Sequence, residues 1–392
     1  MSDSRFGHLS RRGLLTGLGA LAGAGWLGTA HAAEEKSAVI SVFLSGGYNA
    51  LFPSANSFRN KSFGVSDGNV KSLGNNLYVD ASSLGSLDAF SLGHMASIGN
   101  RHGSTDHGNA QGLNFGDGRS FALQLAAAMG GTAAIKAASM GRLPPGPRDA
   151  EGGVSYQPIN DMGSTIRALG GGDPDPKLPA RNVASEAIVR ATAMSGGAMG
   201  RNPGSLVAFK DGYATAVDTL RKPVQPLIFK DIAAAYGRDE KTAVRDFASK
   251  VVGAELMVRA GANVVTITDD FSWDSHGDTD GNRVRNLMND RIVPPLKTFL
   301  ARLRTDDQLK TMNVVVMIHG DFSRSLPGSD HQPNVTATVI GKYVKTGSTG
   351  NTNADVGLGP NVPGSKGMWA YLAKAAKCPG EPFGPNPHGL TL

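Results

Sequence analysis

Short apolar runs alternate along this chain with segments in which apolar residues recur every three to four positions. The run at 37–44 predicts a buried strand that leads directly into a pair of glycines. Apolar residues at helical spacing from Val244 to Val258 predict a helix, and Gly261 separates it from a second buried strand at 263–268. A helix that feeds a strand in this way is typical of a parallel sheet covered by helices.

The same order repeats in the C-terminal part of the chain. Apolar positions from Val284 to Leu303 predict a helix that is interrupted or restarted at two consecutive prolines, and a strand follows at 313–318. A further strand is predicted at 336–344 and a closing helix at 368–376. The predicted fold class is therefore α/β, with a mostly parallel central sheet flanked by helices.

Clusters of glycine and proline weaken this pattern between residues 129 and 235. We predict an irregular Gly/Pro-rich insertion there, either a cap over the sheet or a domain of its own. The segments 68–88 and 345–366 are rich in Gly, Ser and Asn, which predicts surface loops. With the insertion included, residues 33–392 are predicted to form a single α/β domain.

The N-terminus has the features of a targeting signal. Arg11 and Arg12 stand directly before an uncharged run at 13–28, which is followed by the small-x-small cleavage site Ala30-His31-Ala32. The run is too short and too rich in glycine for a stable span, which needs about 20 apolar residues. Residues 1–32 therefore predict a twin-arginine signal peptide, with an uncleaved anchor as the alternative. The twin-arginine translocase would be a partner, and the mature chain would be periplasmic or extracellular, with no stable membrane span.

Charge and cysteine content narrow the function classes. Of the formal net charge of +6, the signal holds +2 (three arginines and one aspartate), so the mature chain keeps about +4. Its Lys and Arg residues are scattered and not interleaved with aromatic residues, which argues against a nucleic-acid partner. Cys378 is the only cysteine, so no intramolecular disulfide can form and stability must come from packing or a metal.

Polar clusters follow three of the predicted strands, at 45–49, 269–276 and 319–331. Ligands of open α/β sheets bind beyond the carboxyl ends of the strands, so these clusters should meet at one edge. Aspartate and neutral histidine suit zinc, manganese or a related divalent ion. Such an ion could neutralise an anionic substrate and lower the pKa of a bound water.

The clusters contain recognisable motifs. They read Phe-Leu-x-Gly-Gly-x-Asn ending at Asn49, Asp-His-Gly-Asn-Ala-Gln from Asp106, Trp-Asp-Ser-His-Gly from Trp273, Gly-Asp-Phe-Ser-Arg-Ser from Gly320 and Ser-Asp-His ending at His331. In this order they resemble the domain-of-unknown-function family 1501 (DUF1501), a branch of the alkaline-phosphatase-like superfamily. The resemblance spans Val39 to about Gly347.

The resemblance implies a parallel-sheet hydrolase core in which Asp and His hold one or two metals at strand ends. Many members of the superfamily cleave phosphate or sulfate esters. On the matching positions, the candidate metal ligands are Asn49, Asp274, His276, Asp321 and His331, and the ion would be zinc, manganese or calcium. The candidate catalytic residues are Thr105 as nucleophile, with Ser104 as a second choice, His107 beside it, and Arg324 as the group that holds the substrate.

Several of these residues also fit structural roles. Asp274 and His276 could form an Asx turn beside a surface histidine. His107 could be a metal ligand, a proton donor or a hydrogen-bonded loop histidine. We predict that His319 and Trp273 serve the core.

The chain departs from the family pattern at two positions after the first strand. Asn49 stands where the family usually has an aspartate, and Ser45 replaces an arginine. A neutral amide is a poorer cation ligand than a carboxylate, which puts a second metal in doubt. Arg324 could clamp an anionic oxygen in a bidentate fork or form a salt bridge to Asp321 or Asp330.

Two functional hypotheses follow. In the first, the protein is an exported metal-dependent hydrolase that acts on phosphate or other anionic esters, in a small molecule or a polymer. In the second, it is a non-catalytic exported binding or assembly protein that keeps a degenerate hydrolase fold. The presence or absence of a bound divalent ion separates the two.

Overall fold

The computed structural model of the protein describes residues 35–47, 69–168, 186, 229–239, 244–278, 281–324, 330–350 and 362–392. The predicted signal 1–32, Asn49 and most of 169–228 lie outside these residues. The elements all belong to one compact unit, Lys36–Leu392. Among the described residues, no helix has the length and apolar character that a membrane span needs.

The described residues contain ten strands, eight of which form a central sheet. In chain order they are β1 (Ser37–Leu44), β2 (Val70–Gly74), β3 (Leu77–Asp80), β4 (Met95–Arg101), β5 (Ala137–Met140), β6 (Tyr156–Ile159), β7 (Val264–Asp269), β8 (Asn313–Gly320), β9 (Asn334–Ile340) and β10 (Gly347–Thr349). The spatial order in the sheet is β10-β4-β9-β8-β1-β7-β5-β6, and β2 pairs separately with β3.

The central strands are parallel, as the sequence predicts. β1 lies between β7 and β8 and is parallel to both, with Val39 opposite Val264 and Val315. Only β9 runs in the opposite direction, antiparallel to β4 and β8. The carboxyl ends of β1, β4, β7 and β8 and the start of β9 therefore share one edge, which we call the carboxyl edge.

Nine α-helices accompany the sheet in the part of the chain described. They are α1 (Ala89–Gly93), α2 (His107–Phe115), α3 (Phe121–Ala128), α4 (Met162–Ala168), α5 (Phe229–Ala235), α6 (Phe247–Arg259), α7 (Asn282–Leu287), α8 (Val293–Thr305) and α9 (Ser365–Ala375). A π-helical turn, Met288–Ile292, joins α7 to α8. The predicted interruption is thus confirmed. The two prolines lie in the first turn of α8, directly after the π-helical turn, and carry no N–H to continue the helical hydrogen bonds of that turn.

Two apolar layers enclose the sheet because its central strands are buried on both faces. Alternate residues of β1 point to opposite sides. Ile40 and Val42 belong to the core cluster that also contains residues of α6 and α8. Val39 and Phe43 belong to the cluster with α3 and α9. The result is a mixed α/β fold with helices on both faces of a large, mostly parallel sheet.

The structure differs from the sequence prediction in three glycine-rich regions. The region 129–235 contributes β5 and β6 to the central sheet, so at least 137–159 is not a separate insertion. The segment 68–88 forms the β2-β3 hairpin, whose Leu77 and Val79 are fully buried instead of lying in a surface loop. The segment 345–366 holds β10 and the start of α9. Strands of three to five residues are too short to show a clear period between glycines.

Candidate metal centre

Five chain segments meet at the carboxyl edge and bring polar side chains together. Four are the loops that follow β1, β4, β7 and β8, and the fifth is the segment that enters β9. They supply Gly46, His107, Asp274, Asp321 and His331. The predicted convergence of the strand-end clusters is therefore present in the structure.

His107 is held at the start of α2 by a carboxylate from the loop that follows β8. Asp106 caps the helix, since its side chain accepts the Asn109 N–H at 2.8 Å. His107 Nδ1 lies 2.6 Å from Asp321 Oδ2, and Gln111 Nε2 donates to the same oxygen at 3.0 Å. His107 and Gln111 are one helical turn apart on one face. This bond directs His107 Nε2 away from Asp321 and towards Asp274, whose Oδ2 is 3.9 Å from it.

Asp321 is fully buried behind the imidazole of His107. Its Oδ1 accepts the Gly46 N–H at 3.1 Å, and its backbone oxygen accepts Asn114 Nδ2 at 2.7 Å. Both carboxylate oxygens are thus engaged by protein donors. Asp321 was predicted as a metal ligand; in the structure its carboxylate bonds to His107, and the ligand role stays a prediction.

His331 is fixed in a similar way from the other side. Its Nδ1 lies 2.7 Å from the backbone oxygen of Thr105, so Nδ1 carries the proton and Nε2 keeps its lone pair. Its ring packs on buried Phe322, with centroids 4.1 Å apart. Burial lowers the pKa of His331, and the charges of Arg324, His107 and His276 lower it further against the effect of the Thr105 bond. The imidazole is therefore neutral at neutral pH.

Asp274 completes the cluster with an ionised carboxylate. Its Oδ1 accepts a bond from Arg324 Nη2 at 2.6 Å. Burial raises its pKa, but the charges of Arg324, His276 and His107 outweigh burial, so the pKa lies below its usual value. His276 Nε2 is 3.5 Å from Asp274 Oδ1 and 2.9 Å from His331 Nε2.

These donor atoms fit a divalent cation. One ligand atom each from His107, Asp274 and His331 lies within 4.8 Å of the others. Ligand atoms at about 2.0–2.2 Å from a tetrahedral ion are roughly 3.3 Å apart, so a small contraction would suffice. Both imidazoles are bonded through Nδ1 to an oxygen and offer Nε2, which is the usual arrangement of metal-bound histidine. His276, which was also predicted as a ligand, lies beside His331 and Asp274 but does not belong to this set of three, so its ligand role stays a prediction.

Arg324 contacts the cluster through Asp274, on the buried side of the site. The guanidinium is fully buried, and its Nε donates to the Gly46 oxygen at 3.2 Å while Nη2 bonds to both Gly46 and Asp274. Burial lowers its pKa, and Asp274 opposes that effect. The salt-bridge partner is thus Asp274. With no exposed surface, the guanidinium could reach a substrate only by leaving these partners.

A pair of glycines allows the loop after β1 to approach the Asp274 loop. Gly46 and Gly47 have φ of +111° and +108°, which L side chains rarely adopt. A Cβ on Gly46 would lie 2.3 Å from the Asp274 backbone nitrogen, and a Cβ on Gly47 would lie 2.8 Å from Arg324 Nε. The backbone N–H of Trp273 also donates to the Ser45 oxygen at 2.8 Å.

The other predicted site residues have varied positions. Thr105 is exposed, and its backbone oxygen holds His331. Asn49 lies outside the described residues, so its predicted ligand role stays a prediction. His319 and Trp273 are fully buried, as expected of structural residues.

Sequence reasoning did not assign site roles to Gln111 and Phe322. Gln111 belongs to the quoted motif, and its place one turn after His107 was the signal that both reach the same carboxylate. Phe322 lies between two site residues in sequence, yet only the structure shows its ring beneath His331 and 4.8 Å from the ring of His107.

Comparisons with solved structures gave distant likenesses. The PsFucS1 sulfatase from Pseudoalteromonas sp. is 12% identical with a TM-score of 0.33, over 92% of this chain and 70% of that chain. The lipoteichoic acid synthase LtaP from Listeria monocytogenes is 12% identical with a TM-score of 0.34, over 90% and 76%. The alkaline phosphatase from the Antarctic bacterium TAB5 is 11% identical with a TM-score of 0.27, over 88% and 100%. At these TM-scores, function must be argued from the site itself.

A search of curated proteins gave no match to this chain. A comparison with protein-family models is more specific. Residues 229–361 match the family model described as "Protein of unknown function (DUF1501)". That range contains the loops with Asp274, His276, Asp321 and His331. The resemblance predicted from the strand-end motifs is thereby confirmed over residues 229–361.

Proposed function

We propose that this protein is a metal-dependent hydrolase of anionic esters, with phosphate esters as the first class to test. The observation that carries the proposal is the convergence of His107, Asp274 and His331 at the carboxyl edge of an α/β sheet. Two imidazoles and one carboxylate form a donor set for zinc or manganese, and calcium would require more oxygen ligands than these residues supply.

Each residue has a defined part in this proposal. A bound divalent ion would supply positive charge for an anionic substrate and lower the pKa of a bound water. His107, Asp274 and His331 would hold the ion, while Asp321 and the Thr105 carbonyl fix the two imidazoles in the required tautomer. Arg324 would position Asp274. His276, whose side chain is 51% exposed, would donate a proton at the open side. Thr105 or solvent would attack.

The test begins with metal content. Wild-type protein purified without chelators or added metal should carry close to one divalent ion per chain, and His331→Ala should lose it. Chelation should lower the melting temperature of wild type to that of His331→Ala, because an ion that binds only the folded state stabilises it. The control is His94→Ala, since His94 precedes β4 at the opposite edge of the sheet. Equal metal content in all three proteins would refute the site.

Turnover is the second readout. Wild-type protein should hydrolyse p-nitrophenyl phosphate or p-nitrophenyl sulfate with a metal dependence that His331→Ala abolishes. The alternative, a non-catalytic binding protein, is favoured by the complete burial of Arg324, the cation expected to hold the substrate. Stoichiometric metal without turnover of either ester would support that alternative.

Export is a separate part of the proposal. The arginine pair, the apolar run and the cleavage site stand in the order of a twin-arginine signal. Replacing Arg11 and Arg12 together by lysine should leave full-length precursor in the cytoplasm. Cell fractionation that finds the double variant exported like wild type would refute the twin-arginine route.

A further inference from the structure

An exposed arginine adjoins the metal centre and has no part in the ligand set. Arg283 lies in the first turn of α7, the helix that follows the Asp274 loop. Its Nη1 donates to the backbone oxygen of Asp274 at 2.7 Å. Because the Asp274 carboxylate is one of the three candidate ligands, the Arg283 guanidinium contacts the loop that would hold the ion.

The backbone at Arg283 is held in place by an aspartate. Asp278, which is 9% exposed, accepts the N–H groups of Arg283 at 3.1 Å and of Val284 at 3.0 Å through its two carboxylate oxygens. Val284 is fully buried and anchors the same turn. The base of the Arg283 side chain is therefore fixed at the surface, which lowers the cost of ordering its guanidinium around a ligand.

Two neighbouring arginines differ from Arg283 because each is paired with a buried carboxylate. Arg285 Nε bonds to Asp80 at 2.7 Å, and Asp80 is fully buried. Arg291 Nη2 bonds to Asp269 at 2.8 Å, and Asp269 is 1% exposed. Within the described part of the chain, Arg283 makes no ion pair with a carboxylate. A guanidinium has five N–H donors, and the bond to the backbone oxygen uses one of them, so four remain for a ligand.

Arg324, which was expected to hold the substrate, is less suited to that part. Its guanidinium is fully buried and bonds to Gly46 and Asp274. Arg283 donates to the same Asp274 from an exposed position. A planar guanidinium binds two oxygens of a phosphate side by side. Arg283 can present such a pair of donors without leaving a carboxylate partner.

The charge at the site favours a doubly charged substrate group. Arg324 and Asp321 carry opposite charges and offset each other, and Asp330 is 76% exposed, so water screens its charge. A divalent ion beside the Asp274 carboxylate would keep a net charge of about +1, since imidazoles bind a metal as neutral groups. Arg283 raises this to about +2, which matches a phosphate monoester dianion better than a singly charged phosphate diester or sulfate ester.

We propose that Arg283 holds the anionic oxygens of the substrate and makes the site selective for phosphate monoesters over phosphate diesters and sulfate esters. This inference rests on the proposed hydrolase function and names its substrate class. The guanidinium contacts the phosphate through its free N–H groups while its bond to the Asp274 backbone is kept. Arg283 is thus a specificity-determining residue and not a ligand of the ion.

Inorganic phosphate is the first probe, because its binding does not depend on turnover. Wild-type protein loaded with zinc or manganese and freed of unbound ion should bind phosphate saturably in a calorimetric titration. Arg283→Gln should weaken that binding about tenfold or more, and Arg283→Lys should weaken it less because the charge is retained. Both variants should keep the wild-type metal content.

The matched control is Arg148→Gln. Arg148 is also exposed and donates to a backbone oxygen, that of Pro144 at 3.2 Å, but it lies in the connection between β5 and β6. The variant removes the same charge without changing a contact of the Asp274 loop, so its phosphate affinity should equal that of wild type. Thermal melts compare the folding of the three variants.

Kinetics with two substrates examine the selectivity. Arg283→Gln should raise KM for p-nitrophenyl phosphate about tenfold or more, with a smaller change in kcat. It should lower kcat/KM much less for bis(p-nitrophenyl) phosphate, a singly charged diester. The preference of wild type for the monoester over the diester should therefore shrink in this variant.

Three results would overturn the inference and leave the hydrolase function standing, provided that wild type holds metal and turns over. Phosphate affinity could be unchanged in Arg283→Gln, or equally weakened in Arg148→Gln, which would indicate nonspecific attraction. Arg283→Gln could lose its metal, which would show that Arg283 supports Asp274 instead of contacting substrate. The preference for the monoester could be the same in Arg283→Gln as in wild type.

Failure of the hydrolase function gives a different pattern. Wild type would then hold no divalent ion, or hold one and hydrolyse neither ester. The phosphate titration of that same protein still decides the role of Arg283. Phosphate binding that Arg283→Gln weakens and Arg148→Gln does not would support the anion contact, and absence of phosphate binding to wild type would overturn it.

Discussion

Replacement of Asp321 by asparagine separates orientation of a metal ligand from metal ligation itself. The carboxylate accepts bonds from His107 at 2.6 Å, Gln111 at 3.0 Å and Gly46 at 3.1 Å. Asparagine keeps one acceptor oxygen and places an amide N–H₂ against at least one of these donors. Loss of one hydrogen bond to a charged group in a buried site costs about 1.5–3 kcal/mol of folding stability.

The effect on metal affinity has a different origin. Without the carboxylate, His107 Nδ1–H loses its strongest acceptor, so its ring is less firmly oriented and Nε2 is less basic. Changes to partners of this kind generally weaken metal binding by about 10–100-fold, which corresponds to about 1.4–2.8 kcal/mol. A competition titration against a chromophoric chelator measures this change, and melting of the chelated proteins measures the stability change separately.

A double-variant cycle provides the decisive comparison. If Asp321 acts through His107, then Asp321→Asn should not weaken metal binding further once His107 has been replaced by alanine. The control is Asp330→Asn, which makes the same substitution in the same segment at a carboxylate that is 76% exposed, and it should change affinity little. Fully additive losses from Asp321→Asn and His107→Ala would refute the orienting role and restore Asp321 as a direct ligand.

Three further predictions concern the surroundings of the site and the core. Gly46→Ala should destabilise the protein by more than Gly153→Ala. Both glycines have positive φ, which costs an alanine about 1–3 kcal/mol, but only the Cβ at Gly46 would meet backbone atoms within 4 Å. Equal melting temperatures of the two variants would contradict the close approach. Burial lowers the pKa of His388 to about 4 from 6.5, so its contribution to stability is present above about pH 6.5 and declines as pH falls towards 4, by up to about 1.4 kcal/mol per pH unit. In His388→Gln, the free energy of unfolding measured with urea should change less with pH between these two values. The same pH dependence as in wild type would contradict this prediction. Arg324→Lys should lower the free energy of unfolding by about 1–3 kcal/mol and weaken metal binding, because one ammonium group cannot reproduce the bonds of the planar guanidinium to Gly46 and Asp274. Unchanged metal affinity would exclude a positioning role for Arg324.

The main elements of the fold follow from local patterns in the sequence. β1 forms at 37–44 as predicted, and the restart of α8 falls at its consecutive prolines, because an uninterrupted apolar run and a missing backbone N–H act on their own residues. The hairpin β2-β3 and the strands β5 and β6 were not predicted. Their few residues are held in place by partners elsewhere in the chain, such as β7 for β5, so no local period reveals them.

The sequence alone also indicated that Asp274, Asp321 and His331 lie close together, since the loops that follow parallel strands meet at a common edge. What only the tertiary structure decided is the role of each residue within the cluster. Asp321 and Asp274 both follow the end of a strand. The Asp321 side chain is fully buried against His107, whereas the Asp274 side chain is 39% exposed. That difference arises from α2, whose His107 and Gln111 bond to one oxygen of Asp321, and from Gly46, whose N–H donates to the other. Burial and hydrogen-bond partners depend on the whole fold, so a motif fixes which residues gather and the packing fixes which of them can face a metal ion.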